Sequence, residues 1–208
     1  MNKLAIRLCA LFGLLLSGCD DDHDSSSWDF GTNDRNLVAC MGDSLTAGVN
    51  CIGAPYPARL AAMSGKKVLN YGVGGVTASY GASTVGSVLA NNPGYVCILY
   101  GSNDAIVGVD TETTVANLRA IVAACKAHKS KPILATPPIM RGSHTIYNGG
   151  AEDIAIRLRQ VAKEEGVDLV DINAAMEGDP EKYLNMSDGL HFSDAGSDLV
   201  ARKFDSKL

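Results

Sequence analysis

The 208-residue chain has no basic cluster: its 18 Lys and Arg are scattered among 23 Asp and Glu, for a formal charge of −5. Phosphate backbones are held by clustered cations, so this composition argues against a nucleic-acid partner. Long apolar runs are missing too. The most apolar stretch, Leu8–Leu16, is too short to cross a bilayer as a helix. None of Cys40, Cys51, Cys97 or Cys125 has a neighbouring histidine, which removes the usual signature of a cysteine nucleophile. The strained G-x-S-x-G serine turn is absent, because Thr46 takes its last place around Ser44. Gly72-x-Gly74 lacks the third glycine of a dinucleotide loop, position 77 being Thr, and the following strand ends without an acid for a ribose. There is no internal repeat and no sign of a second domain. What is present, 46% hydrophobic residues over this length, suits one globular domain with a sizeable core.

The first 18 residues stand apart, with Lys3 and Arg7 ahead of Leu8–Leu16 and small residues after it, as in a secretory signal. Leu16-Ser17-Gly18-Cys19 resembles the lipobox of bacterial lipoproteins, which implies acylation of Cys19 as the new N-terminus and a lipid-anchored place in the cell envelope, on the periplasmic or extracellular side. In such lipoproteins Asp directly after the cysteine, here Asp20, favours the inner membrane. Cleavage would remove Lys3 and Arg7 and no acid, moving the formal charge to −7. Residues 19–36 are polar and read as a flexible tether, with Asp20–Asp24 and His23 a solvated acidic run rather than a metal site. The domain is expected over 37–208. Its four cysteines allow three complete pairings in an oxidising compartment. Cys40 and Cys97 fall in predicted strands and Cys125 on an apolar helix stripe, leaving Cys51 as the thiol open to pairing or reaction.

Short apolar runs closed by Gly or Pro predict strands from Leu37, over Lys67–Tyr71, Tyr95–Tyr100, Pro132–Thr136 and Val167–Ile172. Helical spacing predicts helices over Pro55–Ser64, Thr77–Asn91, Asp110–Lys129 and Glu152–Glu165, and a last one capped by Ser193. Ile139–Gly150 reads as a long loop. Strands alternating with helices in this way imply a three-layer α/β/α sandwich around a five-stranded parallel sheet with right-handed crossovers.

Parallel strands bring their carboxyl ends to one edge, and chemistry-bearing residues collect there: Gly42-Asp43-Ser44-Leu45, Asn70–Gly75 and Gly101-Ser102-Asn103-Asp104. Asp188-Gly189-Leu190-His191, before the last helix, can reach the same edge. Each block has a plainer reading. Ser44 could cap a helix, Asp188-Gly189 could be a turn, and Asn103-Asp104 a turn or a cap. Together they suit acyl transfer: a serine hydroxyl (Ser44) needs a base (His191), and the base needs a carboxylate (Asp188) to fix its tautomer. Candidate oxyanion donors are the Ser44 amide, the Gly75 amide and the Asn103 side chain. His128 and His144 read as surface residues. Val107, Val109, Ile139, Met140, Ile146 and Tyr147 would edge such a site, or merely pack the loops.

These blocks, in this order and spacing, resemble the SGNH hydrolase superfamily of GDSL esterases and lipases over roughly residues 37–205. The letters correspond to Ser44, Gly75, Asn103 and His191, with Asp188 completing a triad. Gly74 and Gly75 are both placed to donate, and counting from Asn70 favours Gly75. Phe192 stands where many relatives have Pro after the histidine, a position that could line the pocket. The resemblance implies a flavodoxin-like sheet and hydrolysis of small-molecule carboxylic or thio esters with no metal and no cofactor. Short or medium acyl esters, lysophospholipids and carbohydrate acetates all fall within its range. A surface lipoprotein keeping the fold only to bind a ligand is the non-enzymatic alternative.

Overall fold

The computed structural model describes residues 28–208, so the signal segment 1–18, Cys19 and the acidic run Asp20–Asp24 lie outside the described residues. Five strands, β1 (Asp34–Gly42), β2 (Lys67–Gly72), β3 (Pro93–Leu99), β4 (Lys131–Ala135) and β5 (Asp168–Val170), form one sheet. Every pairing is parallel and the order is β2-β1-β3-β4-β5. The α/β/α sandwich expected from the sequence is therefore observed, with the flavodoxin-like strand order.

Period-two alternation along the central strands sorts their side chains into two cores. Val38, Cys40, Tyr95, Cys97 and Leu99 point to one face, where α2 (Tyr56–Ser64) and α9 (Asp194–Asp205) cover them with Tyr56, Leu60, Val200 and Phe204. Ala39, Met41, Val96 and Ile98 point to the other, under α3 (Ala78–Leu89), α5 (Thr111–Ala127) and α6 (Asn148–Glu165). Every residue of β3 and β4 is buried, as continuous apolar strands between two helical layers require.

Four short helices escaped the periodicity reading: α1 (Ser44–Ala47), α4 (Ser102–Val107), α7 (Ile172–Met176) and α8 (Pro180–Tyr183). One or two turns are too few residues to show a 3.6-residue repeat. The long loop expected over Ile139–Gly150 holds a 3₁₀ turn, Gly142–Tyr147, and the first turn of α6. The amino end of the domain also differs from expectation. Residues 28–36 do not behave as tether, because Phe30 is buried against Tyr95, with ring centroids 5.1 Å apart, and β1 begins at Asp34 rather than Leu37. Two aromatics among polar residues, Trp28 and Phe30, gave no periodic signal, yet they pack against the lower end of one core.

The sheet's order reverses between β2 and β3, on either side of β1. Crevices in such folds open at the carboxyl ends of strands flanking that reversal. Here those ends lead to Ser44, the second residue past β1, and Asn103, the fourth past β3. Phe30 supplies the clearest check on the revised boundary: Phe30→Ala should cost about 3–5 kcal/mol, read as a lowered urea midpoint, whereas a tether residue would leave it unchanged.

Candidate active site

Ser44 is delivered by a turn that only glycine permits. A Cβ on Gly42 would stand 2.0 Å from Thr46 Oγ1 and 2.6 Å from the Leu99 carbonyl, so β1 passes into α1 without room for a side chain. Asp43 caps that helix, its carboxylate accepting from the Leu45 amide at 2.9 Å. Thr46 Oγ1 meets Tyr56 Oη at 3.0 Å, which pins α1 to the core beneath it. Asn70 joins the second block to the first: its Nδ2 donates to the Thr46 carbonyl at 2.9 Å and its Oδ1 accepts from the Gly72 amide at 2.8 Å.

His191 and Asp188 arrive from a loop folded tightly on itself. Leu184 and Phe192 bridge antiparallel at its base, and the Asn185 amide donates to the His191 carbonyl at 2.7 Å. One Asp188 oxygen accepts from the Leu190 and His191 amides at 2.9 and 3.0 Å, and the other meets His191 Nδ1 at 2.8 Å. Burial pushes the Asp188 carboxyl up, but the two amides and the imidazole outweigh it and hold its pKa below the usual 3.8. An ionised Asp188 makes Nδ1 the protonated nitrogen. His191 Nε2 is then free to accept the Ser44 hydroxyl, whose Oγ lies 3.0 Å away. The structure thus brings together Asp188, His191 and Ser44, the last two 147 positions apart, in one line of hydrogen bonds. A proton can leave Ser44 along it.

The three donors read from the sequence border the same edge. Ser44 opens α1, so its amide belongs to the first turn, where no intrahelical acceptor exists. Gly75 takes φ +78°, a left-handed turn, with open space where a Cβ would be. Asn103 Nδ2 donates to the Val76 carbonyl at 3.0 Å. That bond ties Asn103 to the Gly75 loop and leaves its second amide hydrogen uncommitted.

Several neighbours carried no sequence signal. Asn50, at φ +49°, reaches Asp188 Oδ2 at 3.4 Å while its carbonyl accepts from Asn185 Nδ2 at 2.8 Å. His144, read as a surface residue, lies against the triad loop, with Nδ1 2.9 Å from the Asp188 carbonyl. His128 stands instead near the amino edge, beside Ser130. Asp104 is fully buried and accepts from the Ala78 amide and Thr114 Oγ1, so it fixes the start of α3, close to the capping alternative for that pair. Met140 does not edge the site: it is buried with Ala151 and Leu190. Phe192 likewise belongs to the core under α9 rather than to a pocket wall. Val107 and Ile146 are well exposed. The four cysteines of the domain are unpaired, with Cys51 half-buried and the others buried. Among the described residues no group of three or more His, Cys, Asp or Glu could hold a metal ion.

One buried carboxyl group beneath Ser44 is unusual. Asp43 is 1% exposed, and its Oδ2 has no hydrogen-bond partner. Burial, opposed by the Leu45 amide and reinforced by Asp104, pushes its carboxyl up to about 7. An acid with a higher pKa folded than unfolded takes up a proton on folding. Its stabilising contribution is full below the ordinary value of 3.8 and is lost as pH rises through about 7. Asp43→Asn should therefore flatten a decline in stability across that window, seen by urea unfolding from pH 4 to 8 against wild type. Gly189, at φ +68°, faces the Arg141 carbonyl 2.3 Å from where a Cβ would sit. Gly189→Ala should cost roughly 1–3 kcal/mol and lower kcat by displacing Asp188, measured by unfolding and ester turnover together.

The chain matches the model of the GDSL-like Lipase/Acylhydrolase family over residues 40–199. It is similar in structure to a protein of the lipolytic G-D-S-L family from Desulfitobacterium hafniense, at 27% identity and TM-score 0.74 over 84% of this chain and 100% of that one. A lipase/acylhydrolase from Enterococcus faecalis aligns at 25% identity and TM-score 0.71, over 83% and 94% of the two chains. An acetylxylan esterase from Geobacillus stearothermophilus shares the fold at 22% identity and TM-score 0.70, over 84% and 94%. No functionally curated protein matches the chain.

Proposed function

The chain belongs to the GDSL-like lipase/acylhydrolase family and is an esterase of the SGNH type, and from that premise we propose that it cleaves carboxylic or thio esters through an acyl-enzyme on Ser44. The observation that carries this reading is the hydrogen-bonded line from Asp188 through His191 to Ser44, at 2.8 and 3.0 Å. His191 Nε2 takes the Ser44 proton as Oγ attacks the acyl carbonyl. Asp188 holds the tautomer and stabilises the imidazolium. The negative charge on the former carbonyl oxygen is met by the Ser44 and Gly75 amides and by the free Nδ2 hydrogen of Asn103. Collapse of the tetrahedral centre expels the alcohol or thiol, protonated by His191. Water, deprotonated by the same nitrogen, then attacks the acyl-enzyme and restores Ser44.

The natural substrate is a small acyl ester of short or medium chain, or a lysophospholipid. Val107, at the end of the helix that carries Asn103, and Ile146, in the 3₁₀ turn that carries His144, are both exposed and suit an apolar acyl group. A carbohydrate acetate is the second reading, favoured by the fold shared with an acetylxylan esterase. The lipobox-like Leu16–Cys19 supports a place in the cell envelope, with the enzyme anchored through Cys19 and facing the periplasm or the exterior.

Hydrolysis of 4-nitrophenyl esters from acetyl to palmitoyl by residues 28–208 tests the activity and ranks the acyl lengths. Ser44→Ala should lower kcat by about 10⁴-fold or more, and Asn103→Ala by about 10²–10³-fold. Ser44→Ala turnover equal to wild type would remove Ser44 from the reaction, and an inert wild-type domain would favour the binding-protein alternative.

A further inference from the structure

The place where the chain enters the domain is not explained by ester hydrolysis. Trp28 Nε1 donates to the Lys129 carbonyl at 3.1 Å, and Asp29 pairs with Lys129 Nζ at 2.7 Å. The Asn33 side chain donates to the His128 carbonyl at 2.7 Å, and the Asp34 amide to the Asn92 carbonyl at 2.9 Å. His128, Lys129 and Asn92 are the residues just before β4 and β3. Residues 28–34 are thus moored along the amino edge of the sheet. Ser44, Gly75, Asn103 and His191 stand at the carboxyl edge. β1 runs from Asp34 to Gly42 between the two, and at roughly 3.3 Å per residue it separates them by about 26 Å.

Chain length turns this separation into an orientation. From Cys19 to Trp28 there are nine peptide steps, which at full extension span at most about 32 Å. A domain of this size has a radius of gyration near 16 Å and a diameter of about 40 Å. Following its surface from one pole to the other takes about 60 Å. A tether of that reach covers only about half of that path.

We propose that the anchored enzyme turns its amino edge to the membrane that holds it and its catalytic mouth to the aqueous phase beyond. Its substrates are then hydrated esters carried by molecules off that membrane, and acyl esters embedded in the anchoring leaflet are out of reach. The exposed apolar side chains beside the triad, Val49 and Ile52, whose amides donate to the Ser44 and Phe192 carbonyls, receive the acyl group of an arriving substrate instead of entering the anchoring bilayer. This inference rests on the esterase reading and on acylation of Cys19.

The test uses the full acylated chain, carrying Cys51→Ser, in phosphatidylethanolamine/phosphatidylglycerol vesicles that contain an acceptor-labelled lipid. A donor dye is placed on Lys67→Cys, at the amino edge, or on Ser143→Cys, beside the triad loop. Energy transfer to the bilayer should be several-fold higher from position 67, and a ~30-residue Gly/Ser insertion between Ser27 and Trp28 should erase the difference. Equal or greater transfer from position 143 with the native spacing would overturn the orientation. Full chain that floats with vesicles no better than Cys19→Ser would remove the anchor, and the proposal with it. Failure of ester turnover by residues 28–208, read separately, would overturn the esterase reading and the substrate consequence while leaving the measured orientation intact.

Discussion

The catalytic edge depends on one contact, the 3.0 Å approach of His191 Nε2 to Ser44 Oγ. Its two halves come from opposite ends of the domain, the first strand and the loop before the last helix. Neither half can bend far to meet the other. Ser44 is fixed by the side-chain-free turn at Gly42, the Asp43 cap and the Thr46–Tyr56 bond. His191 is fixed by a loop in which both Asp188 oxygens and several backbone groups are already engaged. Prepaid geometry of this kind is what lets a hydroxyl act as a nucleophile at a low reorganisation cost.

The supports of that contact come from distant chain segments. Arg141 donates its amide to the Gly189 carbonyl at 2.7 Å, and His144 meets the Asp188 carbonyl, so the segment after β4 buttresses the triad loop. Asn50, on the turn after α1, touches Asp188 from the other side. Asp188 is therefore held through its carboxylate by the turn after α1 and through its backbone by the segment after β4. Beneath Ser44, Asp43 and Asp104 are two carboxyl groups in a dry environment, and burial pushes the Asp43 carboxyl up to about 7. Below that value the protonated Asp43 still accepts from the Leu45 amide and adds no second full negative charge near the Ser44 hydroxyl.

The sheet was legible because β1 and β3 are apolar runs cut off by glycine, and the long helices because their stripes repeat over many turns. The site motifs were legible as blocks, since strand alternation alone sends Gly42–Ser44, Asn70–Gly75 and Gly101–Asp104 to one edge. Their partners were not. Asn50 and His144 act through contacts far apart in sequence, which spacing does not encode. Met140 and Phe192 show the converse difficulty: an apolar residue next to a polar motif can line a pocket or fill a core, and only packing decides. Phe30 sat in a polar stretch and gave no reason to extend the domain below Leu37. The short helices α1 and α4, which carry Ser44 and Asn103, are the elements least visible to periodicity and the ones nearest the chemistry.

The account stands on Ser44 being made reactive by His191 rather than merely lying near it. The most direct measurement is the site and rate of labelling by a fluorophosphonate, followed by intact mass and peptide mapping on wild type and on His191→Ala. One phosphonyl group on Ser44 in wild type, with labelling of His191→Ala slowed by orders of magnitude, is the expected result. Labelling at another residue, or a Ser44 labelled equally fast without His191, would contradict it.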